Sequence, residues 1–122
     1  MRIGIDLLGI DELDRLVTRE WFMRYIFSDV EFVQAATLTG ERRREFLAGR
    51  FAAKEAVLKV LGIGFFQGVP PRDIAVGRLD GGAPEVTLQG DAVRAARQAR
   101  IRDVTVSITH KNGMVAAVAA GW

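Results

Sequence analysis

The chain opens on an alternating pattern. Ile3, Ile5 and Leu7 are interleaved with Arg2, Gly4 and Asp6, a period of two that predicts a strand. On that reading Ile5 lies on the buried face and Asp6 points away from it. Residues 11–24 and 28–36 predict two helices, each with acidic residues in its first turn, where they meet the positive end of the helix dipole. The clearest segment runs from Glu41 to Leu61. Thr39 stands where a cap belongs, Glu41 suits the positive end, and Gly62 follows as a stop. Phe46, Leu47, Phe51, Leu58 and Leu61 recur at helical spacing. Gly49 interrupts this helix at a propensity cost of about 1 kcal/mol relative to alanine, and marks a place where another backbone could come close.

Residues 62–73, GIGFFQGVPPRD, predict a loop. Strands near 74–79 and 85–89 follow, joined through Asp80-Gly81-Gly82. Asp91 is placed to cap a short helix rich in alanine and arginine. Val104, Val106 and Ile108 then alternate with Thr105, Ser107 and Thr109, and Asn112-Gly113 turns the chain into a last strand over 114–119. Helices and antiparallel hairpins come in blocks, without regular βα alternation, which predicts an α+β fold with an antiparallel sheet packed on a long helix. No linker, repeat or low-complexity segment divides the chain, so a single domain over 1–122 is expected.

Composition narrows the classes. Of 122 residues 49% are apolar, enough for one core. A chain this short leaves much surface uncovered, and an oligomer would bury more of it. There is no cysteine, which excludes a disulfide framework and a thiolate metal site and fits a cytoplasmic setting. Asp6, Asp11 and Glu12 break the apolar N-terminal stretch, so no signal peptide is expected. No run reaches the roughly 18 apolar residues of a membrane span. The formal net charge of +2 does not mark a nucleic-acid binder. Arginines do cluster at 42–44 and between 94 and 102, a pattern that suits either an acidic partner or a solvated helix face.

Few residues suggest chemistry on their own. Glu55 and Lys59 are four apart on the long helix and share a face, as do Arg50 and Lys54. By spacing alone, Lys54, Glu55 and Lys59 read as a solvated stripe whose ion pair is worth about 0.2–0.5 kcal/mol. Asp6 sits between Ile5 and Leu7, where an unpaired carboxylate is costly. It either faces solvent from an edge strand, pairs with a buried lysine, or joins a second carboxylate around magnesium, which prefers oxygen ligands. His110 is the only histidine and has no neighbours that would make a zinc site. Ser107 lacks a nucleophile elbow. Gly62-Ile63-Gly64 with Gly68 follows a helix rather than a strand, so it is not a dinucleotide fingerprint, and no Walker A sequence is present.

The order and spacing of these segments say more than any one of them. GIDLLGI at 4–10, FSDVEF at 27–32, EFLAGRFAAKEAVLKVLGIG at 45–64 and VSITH at 106–110 closely resemble the holo-acyl-carrier-protein synthase family, the small phosphopantetheinyl transferases. The resemblance runs from end to end and is most specific in RFAAKEAVLK. It implies the family's α+β fold, a homotrimer with active sites between subunits, and transfer of 4'-phosphopantetheine from coenzyme A to a serine of an acyl carrier protein. The other product would be adenosine 3',5'-bisphosphate, and the holo carrier would serve fatty acid or polyketide synthesis. By the same resemblance Asp6 and Glu55 would bind magnesium, and Lys59 would approach the phosphates. Arg50, Ser107 and His110 would hold the nucleotide end of coenzyme A, and Gly62 and Gly64 would line its site. Glu55, Asp6 or a water could accept the serine proton, with Glu55 favoured.

Three departures stand out. Family members usually carry a glutamate where this chain has Gly9 and an arginine facing the acidic carrier where it has Glu12; Lys111 replaces a usual threonine. Arg15, Arg19 and Arg24 could restore basic surface. These changes leave the catalytic set intact and bear on carrier choice. Two other classes stay in view: a non-catalytic scaffold of the same fold, which Gly9 and Glu12 would support, and a nucleic-acid-binding module using the arginine clusters, which lacks an aromatic platform.

Overall fold

The computed structural model describes residues 1–64 and 66–122; of the loop expected over 62–73, Phe65 lies outside the described residues. Strand β1 (Arg2–Gly9) is followed by two single 3-10 turns, Ile10–Leu13 and Leu16–Thr18, then helices α1 (Glu20–Ile26) and α2 (Asp29–Ala35). The continuous helix expected over 11–24 is therefore broken. The long helix α3 spans Gly40–Leu61 and ends on Gly62 in the left-handed conformation, φ 74°. Thr39 occupies its N-cap position without a side-chain cap bond. Another 3-10 turn, Pro71–Asp73, leads into β2 (Ile74–Arg78) and β3 (Pro84–Leu88), then α4 (Asp91–Ala99), β4 (Val104–Lys111) and β5 (Met114–Gly121). Asp91 begins α4 rather than capping it, and its N–H donates to Asp73 Oδ2 at 3.0 Å.

β1, β5 and β4 form one antiparallel sheet with β5 central, and β2 and β3 form a separate hairpin. Asn112 and Gly113 both have positive φ, 52° and 76°, at the turn between β4 and β5, as a tight hairpin demands. The register puts Asp6 opposite Ala117 and Ala117 opposite Ile108; Leu8, Val115 and His110 form the next row. This face packs on α3. Ala48, Ala52, Ala53 and Ala56 of the helix and Ala117 and Ala119 of β5 have no exposed surface, so small side chains on both sides bring helix and sheet close. The tightest approach is at Gly4, where a Cβ would strike the Ala56 carbonyl oxygen. Gly49 does not have the role expected of it: a Cβ there would meet side chains, Ile108 Cγ2 at 3.2 Å and Val115 Cγ1 at 3.9 Å, rather than backbone.

The expected orientation of β1 is reversed. Asp6 shares the helix-facing side with Gly4 and Leu8, whereas Ile3, Ile5 and Leu7 are 67%, 61% and 67% exposed. Register continues this outer stripe through Ala116, Val118 and Ala120 to Thr105, Ser107 and Thr109. Alternation defines two faces but does not say which of them meets the core. The glycine at position 4 decides it, because only that side admits the helix.

Lys54 also departs from the solvated stripe. It and Glu31 are both fully buried, with Nζ 2.7 Å from Oε1. A buried pair of this kind holds together only when its remaining valences are filled. Lys54 Nζ donates to the carbonyls of Pro71 (3.1 Å) and Ile74 (2.6 Å). Glu31 accepts the N–H groups of Ser28 at the start of α2 (3.1 Å) and Val76 in β2 (2.7 Å). Burial pulls the Lys54 ammonium down to about 8, opposed by the Glu31 charge.

Candidate active site at two edges of one sheet

The first group of functional side chains lies at the β1 edge. Because β1 presses against α3 at Gly4, the next inward residue, Asp6, comes to the last turns of the helix, where Glu55 and Lys59 project. Lys59 Nζ donates to the Ile5 carbonyl at 2.6 Å and stands 3.6 Å from Asp6 Oδ1. Glu55 is half-buried; desolvation, reinforced by the negative charge of Asp6, pushes its carboxyl up to about 7 against the opposing pull of Lys59. Desolvation also raises Asp6, with Lys59 acting against it and Glu12 adding to it. A desolvated Glu55 whose ionisation the Asp6 charge opposes, beside a partly desolvated Asp6, makes a place where added positive charge is stabilised. Their donor atoms are all oxygen, which fits a hard divalent cation completed by phosphate and water. Among the described residues, no group of three or more histidine, cysteine, aspartate or glutamate side chains forms a metal cluster.

Gly9 and Glu12, two of the three departures, are linked by a hydrogen bond. The Glu12 carboxylate folds back and accepts the Gly9 N–H at 2.6 Å. A Cβ on residue 9 would lie 3.2 Å from Glu12 Oε2, so the glycine leaves room for a carboxylate that arrives from one turn later. This is how Glu12 comes close enough to raise Asp6.

The second group lies at the β4 edge, along the first half of α3. Arg42, Glu45, Phe46, Gly49 and Arg50 of the helix, Arg78 of β2 and Ile108 and His110 of β4 line a cleft of about 430 Å³. Arg50 is held on three sides. Its guanidinium lies 4.5 Å from the Phe46 ring centre, Nε donates to the Val76 carbonyl at 3.2 Å, and Nη2 reaches Gln34 Oε1 at 3.5 Å. His110 Nδ1 is 3.7 Å from Glu45 Oε2. Three arginines and a histidine facing one open cleft suit an anionic ligand with a flat apolar part.

The residues expected to act together thus fall into separate places. Asp6, Glu55 and Lys59 converge, and Gly62 and Gly64 lie just beyond them, where the Gly64 N–H donates to Gln67 Oε1 at 2.8 Å. Arg50 and His110 converge in the cleft, which none of Asp6, Glu55 and Lys59 lines. Ser107 joins neither group: it lies on the outer face of the sheet, opposite Val118. Sequence reasoning missed Arg42, Glu45 and Arg78 in the cleft. Arg42 and Glu45 precede Arg50 by two turns and by five residues, a spacing that was available; Arg78 arrives from a different element and carried no signal.

Comparison with known proteins identifies the family. The 4'-phosphopantetheinyl transferase superfamily model matches residues 2–119. The chain is 40% identical over 118 residues to the holo-(acyl-carrier-protein) synthase of Nitratidesulfovibrio vulgaris strain DP4, spanning 95% of this chain and 93% of that one. It superposes on the Bacillus anthracis holo-(acyl-carrier-protein) synthase, a crystal structure in complex with CoA (3',5'-ADP), with a TM-score of 0.80 and 32% identity over 98% of this chain and 93% of that one. The Neisseria meningitidis holo-(acyl-carrier-protein) synthase gives a TM-score of 0.86 at 26% identity, covering 98% and 96%. With the fold and the full-length matches in agreement, the chain belongs to the 4'-phosphopantetheinyl transferase superfamily.

Proposed function

We propose that this protein is a holo-(acyl-carrier-protein) synthase that moves 4'-phosphopantetheine from coenzyme A to a serine of an acyl carrier protein. The observation that carries the reading is the coupled carboxylate pair, Asp6 and Glu55, bridged by Lys59 to β1 in a chain of this superfamily. The serine hydroxyl attacks the β-phosphorus of coenzyme A; the new P–O bond forms as the bond to the α-phosphate oxygen breaks, and adenosine 3',5'-bisphosphate leaves. Glu55 would accept the serine proton directly or through water. Lys59 stands where charge develops on the phosphate oxygens and stabilises it. Asp6 and Glu55 would hold magnesium, which supplies Lewis-acid stabilisation of phosphate charge when bound. Arg50 and His110, with Arg42 and Arg78, would hold the anionic nucleotide end in their cleft. Gly62 and Gly64 would flank the pantetheine side.

The acidic edge and the cationic cleft open separately in one chain, and the sheet between them turns an apolar outer stripe to solvent. Both features support self-association in which the acidic edge of one copy faces the cleft of the next, a homotrimer on the family resemblance, and Ser107 on that outer face would then reach the assembled site. Carrier docking falls to the exposed Arg15, Arg19, Trp21 and Arg24, with Glu12 favouring a carrier less acidic than usual, in fatty acid or polyketide synthesis. No helix of the described residues is long and apolar enough to cross a membrane; a single-domain, cytoplasmic enzyme completes the reading. Incubation with coenzyme A, magnesium and an apo carrier is expected to add the mass of phosphopantetheine to the carrier serine and release adenosine 3',5'-bisphosphate. If a panel of apo carriers stays unmodified at high enzyme concentration, the proposal fails.

A further inference from the structure

Arg50 is aimed at the cleft by contacts that trace back to a buried ion pair with no place in the chemistry. Val76 links the two: its N–H donates to Glu31 Oε2 at 2.7 Å, and its carbonyl accepts Arg50 Nε at 3.2 Å. In a strand the N–H and C=O of one residue point to the same side, so anchoring the Val76 N–H also holds its carbonyl toward Arg50. Arg78, two residues on in the same strand, lines the same cleft. Gln34, one turn after Glu31 on α2, receives the other end of the Arg50 guanidinium. Lys54, one turn after Arg50 on α3, locks Glu31 from the opposite side and ties down Pro71 and Ile74 at the entry to β2. An apolar pair could fill this space, and such replacements often leave a fold no less stable. It would not hold the Val76 N–H, and that difference separates a positioning role from a purely structural one.

We propose that Lys54 and Glu31 are positioning residues for the anion cleft, which fix the β2 backbone at Val76 and thereby set Arg50 and Arg78 for the nucleotide end of coenzyme A. This rests on the reading that the cleft takes that nucleotide. The test compares wild type with Lys54→Met/Glu31→Leu, which keeps the volume apolar, and Lys54→Met/Glu31→Gln, which keeps an oxygen able to accept the Val76 N–H. Affinity for adenosine 3',5'-bisphosphate is measured by calorimetry, alongside thermal unfolding and steady-state kinetics. The apolar pair is expected to lose about tenfold in nucleotide affinity, the scale of one hydrogen bond, and to raise KM for coenzyme A while kcat stays unchanged. The glutamine pair is expected to recover most of that affinity at a similar melting temperature. Wild-type affinity in the folded apolar pair would overturn the proposal. Should the apolar pair not fold, Lys54→Met alone, which releases the Pro71 and Ile74 carbonyls at the entry to β2, is combined with Arg50→Ala. If Lys54 acts chiefly through Arg50, its effect on affinity falls by more than half once Arg50 is gone, whereas fully additive losses overturn the proposal. Failure of wild type to bind the nucleotide would instead remove the cleft assignment, and this inference with it.

Discussion

The two edges of the three-stranded sheet handle charge in opposite ways. At the β1 edge, carboxylates are crowded and partly desolvated, so Glu55 is pushed up to about 7 and Asp6 is raised as well. At the β4 edge, cations face an open cleft, and Arg50 among them is tied by hydrogen bonds to a backbone carbonyl and an amide. The strands that bear Asp6 and His110 are separated by two strand spacings, about 10 Å, and both residues lie on the side that faces α3. One helix therefore supplies both sites: Glu55 and Lys59 near its C-terminal end, Arg42, Glu45 and Arg50 toward its start. The difference teaches that the crowded edge favours added positive charge and the open edge favours an anion, the two demands that the proposed transfer from a diphosphate makes.

Substitutions that strip one edge and spare the other break this comparison. The largest effect is expected at the crowded edge: Asp6→Ala or Glu55→Ala lowers kcat by about 10²–10⁴-fold, measured by carrier modification with the fold checked by circular dichroism. Wild-type rates in either variant would refute the carboxylate assignment. At the open edge, Arg50→Ala is expected to raise KM for coenzyme A by about 10–100-fold, the loss of one or more charge-assisted hydrogen bonds, and to leave KM for the carrier unchanged. A change confined to the carrier would show that the cleft serves a different ligand.

A smaller effect sharpens the electrostatics. The folded protein holds a proton on Glu55 more tightly than the unfolded chain does, since its carboxyl rises from 4.5 to about 7. The stability linked to that proton is present at low pH and is lost as pH rises toward and through about 7. In urea titrations with EDTA, Glu55→Gln should match wild type near pH 5 and exceed it near pH 8. Equal stability of the two proteins at both pH values would show that Glu55 is not strained by its surroundings.

Much of this was legible in the sequence, and the failures share a cause. The long helix was readable because its apolar residues keep one period over several turns and Gly62 ends them. The last hairpin was readable from Asn112-Gly113. The motif in which Lys54, Glu55 and Lys59 sit carried the family resemblance, yet spacing could not separate a buried Lys54 from an exposed Lys59 five residues later. What separates them is the partner each meets: Glu31, brought in from α2, for one, and the Ile5 carbonyl and Asp6 on β1 for the other. The β1 face was misread for a related reason. Ile3, Ile5 and Leu7 form the more apolar stripe, but the helix needs the side with Gly4, and the apolar stripe is left outside. Residues 11–24 carried helical composition, but Asp11 to Thr18 close into 3-10 turns. The Asp14 carboxylate is held there by a two-pronged ion pair with Arg44 on α3, a contact thirty residues away that local pattern does not contain.

The central claim is that the crowded edge of one copy works with the open cleft of another. It is tested by co-refolding Glu55→Ala with Arg50→Glu, each impaired in a different half, and assaying transfer at coenzyme A concentrations below the wild-type KM. In a closed ring of three copies with equal mixing, about one site in four combines two intact halves, so the mixture should recover a substantial fraction of wild-type activity that neither variant shows alone. If native mass spectrometry confirms mixed oligomers and activity stays at the level of the separate variants, the two edges do not form one site.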